Sequence, residues 1–296
     1  MEKKWTGWHS FGLVAILVAI AFFGLRIPEN QILLSWLLTL VALTVFAMLA
    51  GHGITGRFWF GWLINEQYRM SLSRLQMFLW TIVVLSAFLT AALANIRMGY
   101  SEKAVAIAIP KDVWLAMGIS TTALVGSPLI LKGKKEKPTN QEEAEKTLVE
   151  LNILDEPPVY PDMSDIADDP QALADAENNY QIKENIYEAK AKTKVAEHTS
   201  GQLFRNTKPD DAKLPDLVSG EEVGNADILD LSRLQNLFFT LILVGSYAAA
   251  LGTLLVNSSG AIKKFPELGA SQVALLGISA AGFLGAKAVD KQPEGE

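Results

Sequence analysis

Histidine and cysteine, the side chains that most often bind zinc, are sparse in this chain. Its three histidines, His9, His52 and His198, lie 43 and 146 residues apart, and it has no cysteine. Metal sites built from imidazole and thiolate groups need three or four such ligands in one place. We therefore expect neither a metal site at the histidines nor a disulfide framework.

A dense group of carboxylates follows Pro161, and it consists of Asp162, Asp165, Asp168 and Asp169. An EF-hand loop needs oxygen ligands at its positions 1, 3 and 5 and a glycine at position 6, which this spacing does not supply. A solvated acidic loop is the favoured interpretation, and a calcium site is the alternative. The chain also lacks the phosphate-binding loop, zinc-protease and serine-hydrolase motifs. We expect no catalytic activity and no cofactor.

The most distinctive polar motif occurs twice. Ser73-Arg-Leu-Gln76 recurs 159 residues later as Ser232-Arg-Leu-Gln235. Ser-x-x-Gln has the pattern of a capping box, in which the serine is the N-cap residue of a helix and the glutamine returns a hydrogen bond. Arg74 and Arg233 would then contact lipid headgroups at the helix ends. The alternative is that both arginines and both glutamines line one vestibule and bind an anion.

The same offset relates further residues, among them Gly118-Ile-Ser120 and Gly277-Ile-Ser279. Because the matches need no gap, we interpret them as a duplicated two-helix hairpin whose copies are parallel. Small residues recur at every fourth position of the second helix in each copy, which lets another helix approach closely. These residues are Gly118, Thr122, Gly126, Gly277, Ala281 and Gly285. Packing between the two hairpins is favoured over contact between subunits.

The elements that carry these motifs are apolar segments of membrane-spanning length. A bilayer core of about 30 Å requires about 20 mostly apolar residues in a helix. Six segments qualify: residues 8–25, 32–50, 75–96, 113–131, 234–256 and 271–289. The predicted fold is an all-α integral membrane protein with six transmembrane helices, formed by an N-terminal hairpin and two parallel-repeat hairpins.

Charge divides the chain into four predicted parts. Residues 132–230 hold 12 Lys/Arg and 23 Asp/Glu, a local charge of −11 against the overall −6. This range is predicted to be an acidic cytoplasmic insert with one helix near residues 142–153 and another over 170–197. It has few large apolar residues, so we expect a partly ordered arm without a sizeable core. The other parts are residues 1–65, 66–131 and 231–296.

Basic residues in the loops favour cytoplasmic termini and a cytoplasmic insert. Lys3 and Lys4 precede the first segment, and Lys132, Lys134 and Lys135 follow the fourth. Loops rich in Lys and Arg stay on the cytoplasmic side. The expected location is a bacterial plasma membrane, with anionic headgroups as contacts and no nucleic-acid partner.

Several motifs together resemble a family of bacterial multi-pass membrane proteins of unassigned function. They are Gly56-Arg57, Leu63-Ile-Asn-Glu66, Arg69–Gln76, Trp80-Thr81, Gly220–Asp227, Asp230–Gln235, Pro266-Glu-Leu268 and Leu276–Ser279. The resemblance covers about residues 50–131 and 215–290. Asn65 and Glu221 stand where the family pattern has aspartate, so side-chain charge or length is variable there. The resemblance implies a location and an architecture, but no activity.

Three functions are compatible with the sequence. Ion-coupled transporters place ionisable groups within their spans, and the six segments hold none well inside. We favour a non-catalytic, oligomeric membrane scaffold or subunit that docks partners through the acidic insert. A homo-oligomeric ion channel lined by hydroxyl groups and a membrane-anchored signalling or defence component are the alternatives. The fourth or sixth helix is the predicted contact between subunits.

Overall fold

The structure is a computed structural model that describes residues 5–164 and 169–291. Within these ranges the chain forms eight α-helices and one antiparallel two-stranded sheet. The helices are α1 (Gly7–Arg26), α2 (Ile32–Thr55), α3 (Leu72–Arg97), α4 (Lys111–Lys135), α5 (Gln141–Glu150), α6 (Pro170–His198), α7 (Leu231–Asn257) and α8 (Ala270–Ala288). The strands are β1 (Thr199–Ser200) and β2 (Leu203–Phe204). Lys3, Lys4, Asp165 and Asp168 lie outside the described residues.

The predicted fold class is confirmed. Six helices, α1 to α4 together with α7 and α8, are long and apolar enough to cross a membrane. Each begins and ends within five residues of its predicted segment. The offset of the repeated motif also separates the helix starts: α3 and α7 begin 159 residues apart, and so do α4 and α8.

The described residues form two compact units. The first, which we call the bundle, contains all six spans and comprises residues 5–131, 208–218 and 230–289. The second unit comprises residues 132–164, 169–207, 219–229 and 290–291. The predicted insert over 132–230 is therefore divided, because its segment 208–218 belongs to the bundle. The hydrogen bond from Asp230 N to Val218 O, at 2.8 Å, is one contact that holds this segment there.

The central helix of the bundle is α3. Of its most apolar stretch 56% is buried, against 33% or less in each of the other five spans. It packs against α1, α2 and α7. Ala87, Ala91 and Ala94 are buried at spacings of four and three residues, so they form a smooth face that neighbouring helices approach closely. The indole of Trp80 lies 6.0 Å from the ring of Tyr247 on α7.

A single amide joins the two hairpin loops at the distal end of the bundle, the end at which α3 and α7 finish. Asn95 is 1% exposed. Its Nδ2 donates to Ala104 O at 3.2 Å and to Ile262 O at 3.0 Å, and its Oδ1 accepts from Ile262 N at 2.8 Å. Beside it, Ala108 bridges to the other loop in parallel register, through Lys263 O and Phe265 N. Asn95 thereby satisfies loop groups that water does not reach.

The second unit is better packed than the sequence predicts. Its core is built from α5, α6 and the loops, and its buried members are Ala144, Leu148, Leu154, Ala191, Val195, Phe204, Val223 and Ala226. The expectation of a partly ordered arm without much core underestimated it, because the core is assembled from side chains that are far apart in sequence. Lys134 and Glu222, 3% and 4% exposed, form an ion pair of 2.5 Å within it.

The hydrogen bonds of Asn95 predict that replacing this residue destabilises the bundle strongly. Asn95→Ala leaves three buried backbone groups without partners, at about 1–3 kcal/mol each before relaxation. We expect a loss of about 3 kcal/mol in the free energy of unfolding, read from thermal unfolding in detergent. Thr121→Ala is the control, because that exposed hydroxyl donates only to Met117 O of its own helix. Equal unfolding temperatures for the two variants would contradict the assignment.

Candidate functional site

The helix starts at the proximal end of the bundle, where α3 and α7 begin, are capped differently from the prediction. Ser71 is the N-cap of α3, and its hydroxyl accepts from Arg74 N at 3.4 Å. Asp230 is the N-cap of α7, and its Oδ1 accepts from Ser232 N at 2.9 Å and from Arg233 N at 3.3 Å. The capping role predicted for Ser73 and Ser232 is therefore wrong. An equally good capping residue lies two positions earlier in each copy, and each helix extends to it.

The remaining motif residues occupy unlike environments. Gln76 is 1% exposed, and its Nε2 donates to Thr240 Oγ1 on α7 at 2.7 Å. Gln235, its counterpart in the second copy, is exposed. Ser73 is buried, whereas the Ser232 hydroxyl donates to Asp230 Oδ1 at 2.6 Å. Neither glutamine completes a capping box.

The two arginines of the motif also differ. Arg233 is 3% exposed, its Nη1 donates to Asp216 O at 3.1 Å, and its guanidinium lies 5.7 Å from the centre of the Phe283 ring. A headgroup contact for Arg233 is therefore wrong, because the protein itself surrounds the guanidinium. Arg74 is half-buried. With Gln76 buried and Gln235 exposed, the four side chains do not line one anion-binding vestibule.

The small residues of α4 and α8 lie on two surfaces, one facing the other helix and one exposed. Leu284 Cδ1 lies 3.6 Å from the position a side chain on Gly126 would take, and Ile119 Cδ1 lies 3.7 Å from the equivalent position at Gly277. Side chains of α4 and α8 therefore touch at these two glycines, but the two helices do not show the close approach that the favoured interpretation expects. The other four small residues of the two helices are exposed: Gly118, Thr122, Ala281 and Gly285.

Three arginines hold one segment of chain against the proximal end of the bundle. We call residues 208–218 the strap. Arg57 Nη1 donates to Ala212 O at 2.5 Å and to Pro209 O at 3.3 Å. Arg69, 2% exposed, pairs with Asp216 at 3.4 Å, and Arg233 donates to the backbone oxygen of the same residue. The strap therefore joins the loop before α3 to the start of α7.

Asp216 is the residue at which these contacts converge. Its Oδ2 accepts from Met70 N at 3.1 Å and from Lys213 N at 2.9 Å, while its Oδ1 faces Arg69. A carboxylate that accepts several N–H groups and an arginine is held strongly in one orientation. Its side chain is 13% exposed, so water screens the ion pair only weakly.

The turn that presents Arg69 depends on Asn65. Asn65 Oδ1 accepts from Gln67 N and from Arg69 N, both at 3.0 Å, and Ile64 and Met70 pair across the turn. Only an acceptor oxygen is required there, and aspartate supplies one as well. An aspartate at position 65 would therefore support the same turn.

Apolar contacts complete the site. Its buried members come from both sides and are Leu63, Ile64, Met70, Ala212 and Leu217. The three arginines bind carbonyl and carboxylate oxygens of the strap and hold it in place. We call Arg57, Arg69, Arg233 and Asp216 the clamp. The motifs Gly56-Arg57, Leu63–Glu66, Arg69–Gln76 and Asp230–Gln235 meet at this clamp, although they are far apart in sequence.

A histidine pair escaped the sequence analysis. His9 Nε2 and His52 Nδ1 lie 2.9 Å apart, between α1 and α2. Thr6 N donates to His9 Nδ1 at 3.1 Å, so the His9 proton is on Nε2 and is directed at His52. The geometry of the hairpin formed by α1 and α2 could have predicted the pair. Residues that face each other in an antiparallel hairpin have numbers with a nearly constant sum. The sum is 61 both for His9 with His52 and for Gly12 with Leu49, which also face each other. Within the described residues, no cluster of three or more His, Asp or Glu could hold a metal ion.

Comparisons with protein-family models, with curated proteins and with solved structures find no match to this chain. The clamp and the fold therefore stand on their own geometry.

The Asn65 turn yields a matched pair of variants. Asn65→Asp keeps the acceptor oxygen, so we expect an unfolding temperature within 2 °C of the parent, roughly 0.5 kcal/mol. Asn65→Ala leaves two backbone N–H groups without their acceptor, and we expect it to cost about 2 kcal/mol. Thermal unfolding of both variants in one detergent decides the matter. Equal losses would show that the amide, and not the acceptor oxygen, is required.

The clamp predicts protection of the strap from proteases. Asp216→Ala removes the carboxylate that forms an ion pair with the buried Arg69, which costs about 3 kcal/mol and on the order of 100-fold in local opening. We expect trypsin to cleave after Lys213 correspondingly faster, with the new terminus identified by mass spectrometry. Asp210→Ala is the control, because Asp210 is exposed on the same strap. Unchanged cleavage in Asp216→Ala would mean that the ion pair does not hold the strap.

Proposed function

We propose that this chain is a non-catalytic membrane scaffold or subunit that docks a partner protein through its second unit. In this proposal it lies in a bacterial plasma membrane, with both termini and the second unit in the cytoplasm. The arrangement of Lys and Arg in the loops supports this orientation. The offset of 159 residues shared by motif and helix starts supports an origin of the two hairpins by duplication.

The hydroxyl groups of the spans support a scaffold over a pore. Many of them donate to the carbonyl four residues earlier in their own helix, a local bond that needs no water-filled surface. These are Thr39, Thr44, Ser120, Thr121, Thr122 and Thr253. A pore wall would instead present its hydroxyls to permeating ions. The channel is for this reason the weaker alternative.

The observation that carries the docking proposal is an uncharged face on α6. This helix has 29 residues and is about 43 Å long. One side packs Ala191, Val195 and His198 into the second unit. The opposite side exposes a set of residues that we call the α6 seam: Asn179, Ile182, Ile186, Ala189 and Thr193.

The spacing of the α6 seam fits a helical partner. Its residues follow one another at intervals of three, four, three and four, which is the a/d pattern of a coiled coil. Ile182 is 48% exposed and Ile186 is 63% exposed. Centres of protein interfaces are depleted in charged residues, as this seam is, although the surrounding insert is rich in them.

Basic residues flank the seam and define the partner. Lys183 and Lys192 are exposed beside it, and Lys190 is partly neutralised by Asp155. Opposite charges across a helical contact select partner and orientation. The partner that fits is an amphipathic helix of another protein, with acidic residues on either side of its apolar stripe.

Site-specific photo-crosslinking in intact cells tests this function. With a photoreactive residue at Ile182 or Ile186, we expect one crosslinked species larger than the chain alone. Gln181 is the control position, because it is exposed on the same helix outside the seam. Lys183→Glu combined with Lys192→Glu should reduce the crosslinking yield at least fivefold. The crosslinked partner peptide should be an acid-flanked helix.

Two outcomes would overturn the docking proposal, and a third would remove its electrostatic part. Equal yields from positions 181 and 186 would mean non-specific collision. A species of twice the chain mass would identify a second copy as the occupant. An unchanged yield after both charge reversals would remove the electrostatic part of the argument.

Oligomerisation through α4 or α8 is a separate prediction, supported by the exposed small residues Gly118 and Gly285. It fails if leucine at each leaves the assembled mass unchanged.

A further inference from the structure

An open groove lies at the distal end of the bundle, between the end of α7 and the loop that follows it. It encloses about 380 Å³ and is lined by Ala250, Leu254, Lys264, Phe265, Pro266 and Glu267. Sites that bind small ligands in proteins typically enclose about 300–1,000 Å³. The groove shares no residue with the clamp or with the α6 seam.

Hydrogen bonds hold the loop in the shape that forms the groove. The hydroxyl of Tyr247, on α7, donates to Pro266 O at 3.3 Å. Phe265 N donates to Ala108 O in the loop of the first hairpin at 2.9 Å, and Phe265 is only 2% exposed. The groove is therefore formed before a ligand binds, and binding requires little ordering of the loop.

The wall of the groove on α7 is apolar and lies at the depth of lipid acyl chains. With its 27 residues, α7 is about 40 Å long and exceeds a bilayer core of about 30 Å. When α7 is centred in the core, about three residues project at each end. Leu254 then lies at the edge of the core, and the exposed Ala250 lies one turn deeper. This wall therefore faces lipid chains.

The other end of the groove is charged and holds more lysine than carboxylate. Lys264 Nζ donates to Glu267 Oε1 at 2.6 Å. This hydrogen bond lowers the pKa of the Glu267 carboxyl, and the positive charges of Lys264 and Lys111 add to the effect. Lys263 is exposed next to Lys264 in the chain. Three lysines and one ionised glutamate give this end a net positive charge.

The two ends of the groove together fit an amphiphile with an anionic head. An apolar chain fits along Ala250, Leu254 and Phe265, and a phosphate group fits beside the lysines. The ammonium group of Lys264 carries three N–H donors, so the bond to Glu267 leaves others for a phosphate oxygen. Lysines near a membrane surface attract anionic headgroups, whereas the cationic group of a zwitterionic headgroup is repelled by them.

We propose that this groove is a binding site for an anionic phospholipid, with one acyl chain against α7 and the phosphate beside Lys264. The site depends on neither the docking proposal nor the α6 seam. A lipid bound there contacts both α7 and the loop of the second hairpin. It therefore reinforces the end of the bundle at which Asn95 joins the two hairpin loops.

Native mass spectrometry of the whole protein tests the selection of the headgroup. The probes are phosphatidylglycerol and phosphatidylcholine with the same acyl chains. We expect the first phosphatidylglycerol to bind the parent at least tenfold more tightly than the first phosphatidylcholine. Lys264→Glu should weaken phosphatidylglycerol binding at least fivefold. Lys103→Glu is the control, because this exposed lysine belongs to the loop of the first hairpin and does not line the groove. Equal affinities of the parent for the two lipids, or equal losses in the two variants, would overturn the proposal.

A matched pair of alanine variants tests the acyl part of the site. The ring introduced by Ala250→Phe fills the groove, so the binding of both lipids should weaken at least fivefold. Ala249→Phe should leave binding within twofold of the parent, because Ala249 is exposed on the same helix but does not line the groove. Parent-like binding in Ala250→Phe, or an equal loss in Ala249→Phe, would place the lipid elsewhere and overturn the assignment to this groove.

Discussion

Polar groups buried among apolar helices are stabilised only where they find hydrogen-bonding partners within the protein, and this constraint shapes both ends of the bundle. Asn95 meets it at the distal end, where one amide satisfies backbone groups of both hairpin loops. Asp216 meets it at the proximal end, where one carboxylate gathers two backbone amides and Arg69. Between them, Gln76 reaches across to Thr240. These contacts fix the register of α3 against its neighbours, which nonspecific apolar packing alone does not specify.

Much of the architecture could be predicted from the sequence, because membrane spans are determined locally by length and hydropathy. The helix α6 was predictable for a similar reason, since Asp169 and Pro170 mark its start and its residues favour helices. The helix caps were not, because Ser71 and Ser73, or Asp230 and Ser232, satisfy the same local rules. Only the packing of the following turn decides between them. The clamp could not be predicted from local sequence patterns, because the residues in contact are far apart in sequence. Arg57 and Ala212, for example, are 155 residues apart.

The two copies of the repeated motif show how little a motif determines by itself. Gln76 is buried in the centre of the bundle, whereas Gln235 faces outward at the equivalent helical position. Arg233 is enclosed by Asp216 and Phe283, whereas Arg74 is half-buried. The span of α3 is 56% buried and that of α7 is 33% buried, so identical residues meet different neighbours. The tetrapeptide marks the start of a hairpin, and the surrounding helices assign each side chain its role.

The long-range bonds of Asn95 and Gln76 have a consequence for biosynthesis. Their partners lie 167 and 164 residues further along the chain. At a translation rate of about 5–20 residues per second, roughly 10 to 30 s pass between insertion of the first hairpin and arrival of the second. During that interval α3 lies in the lipid without the contacts that Gln76 and Asn95 make to the second hairpin. A membrane insertase that shelters polar helices until their partners emerge would be needed most by this segment of the chain.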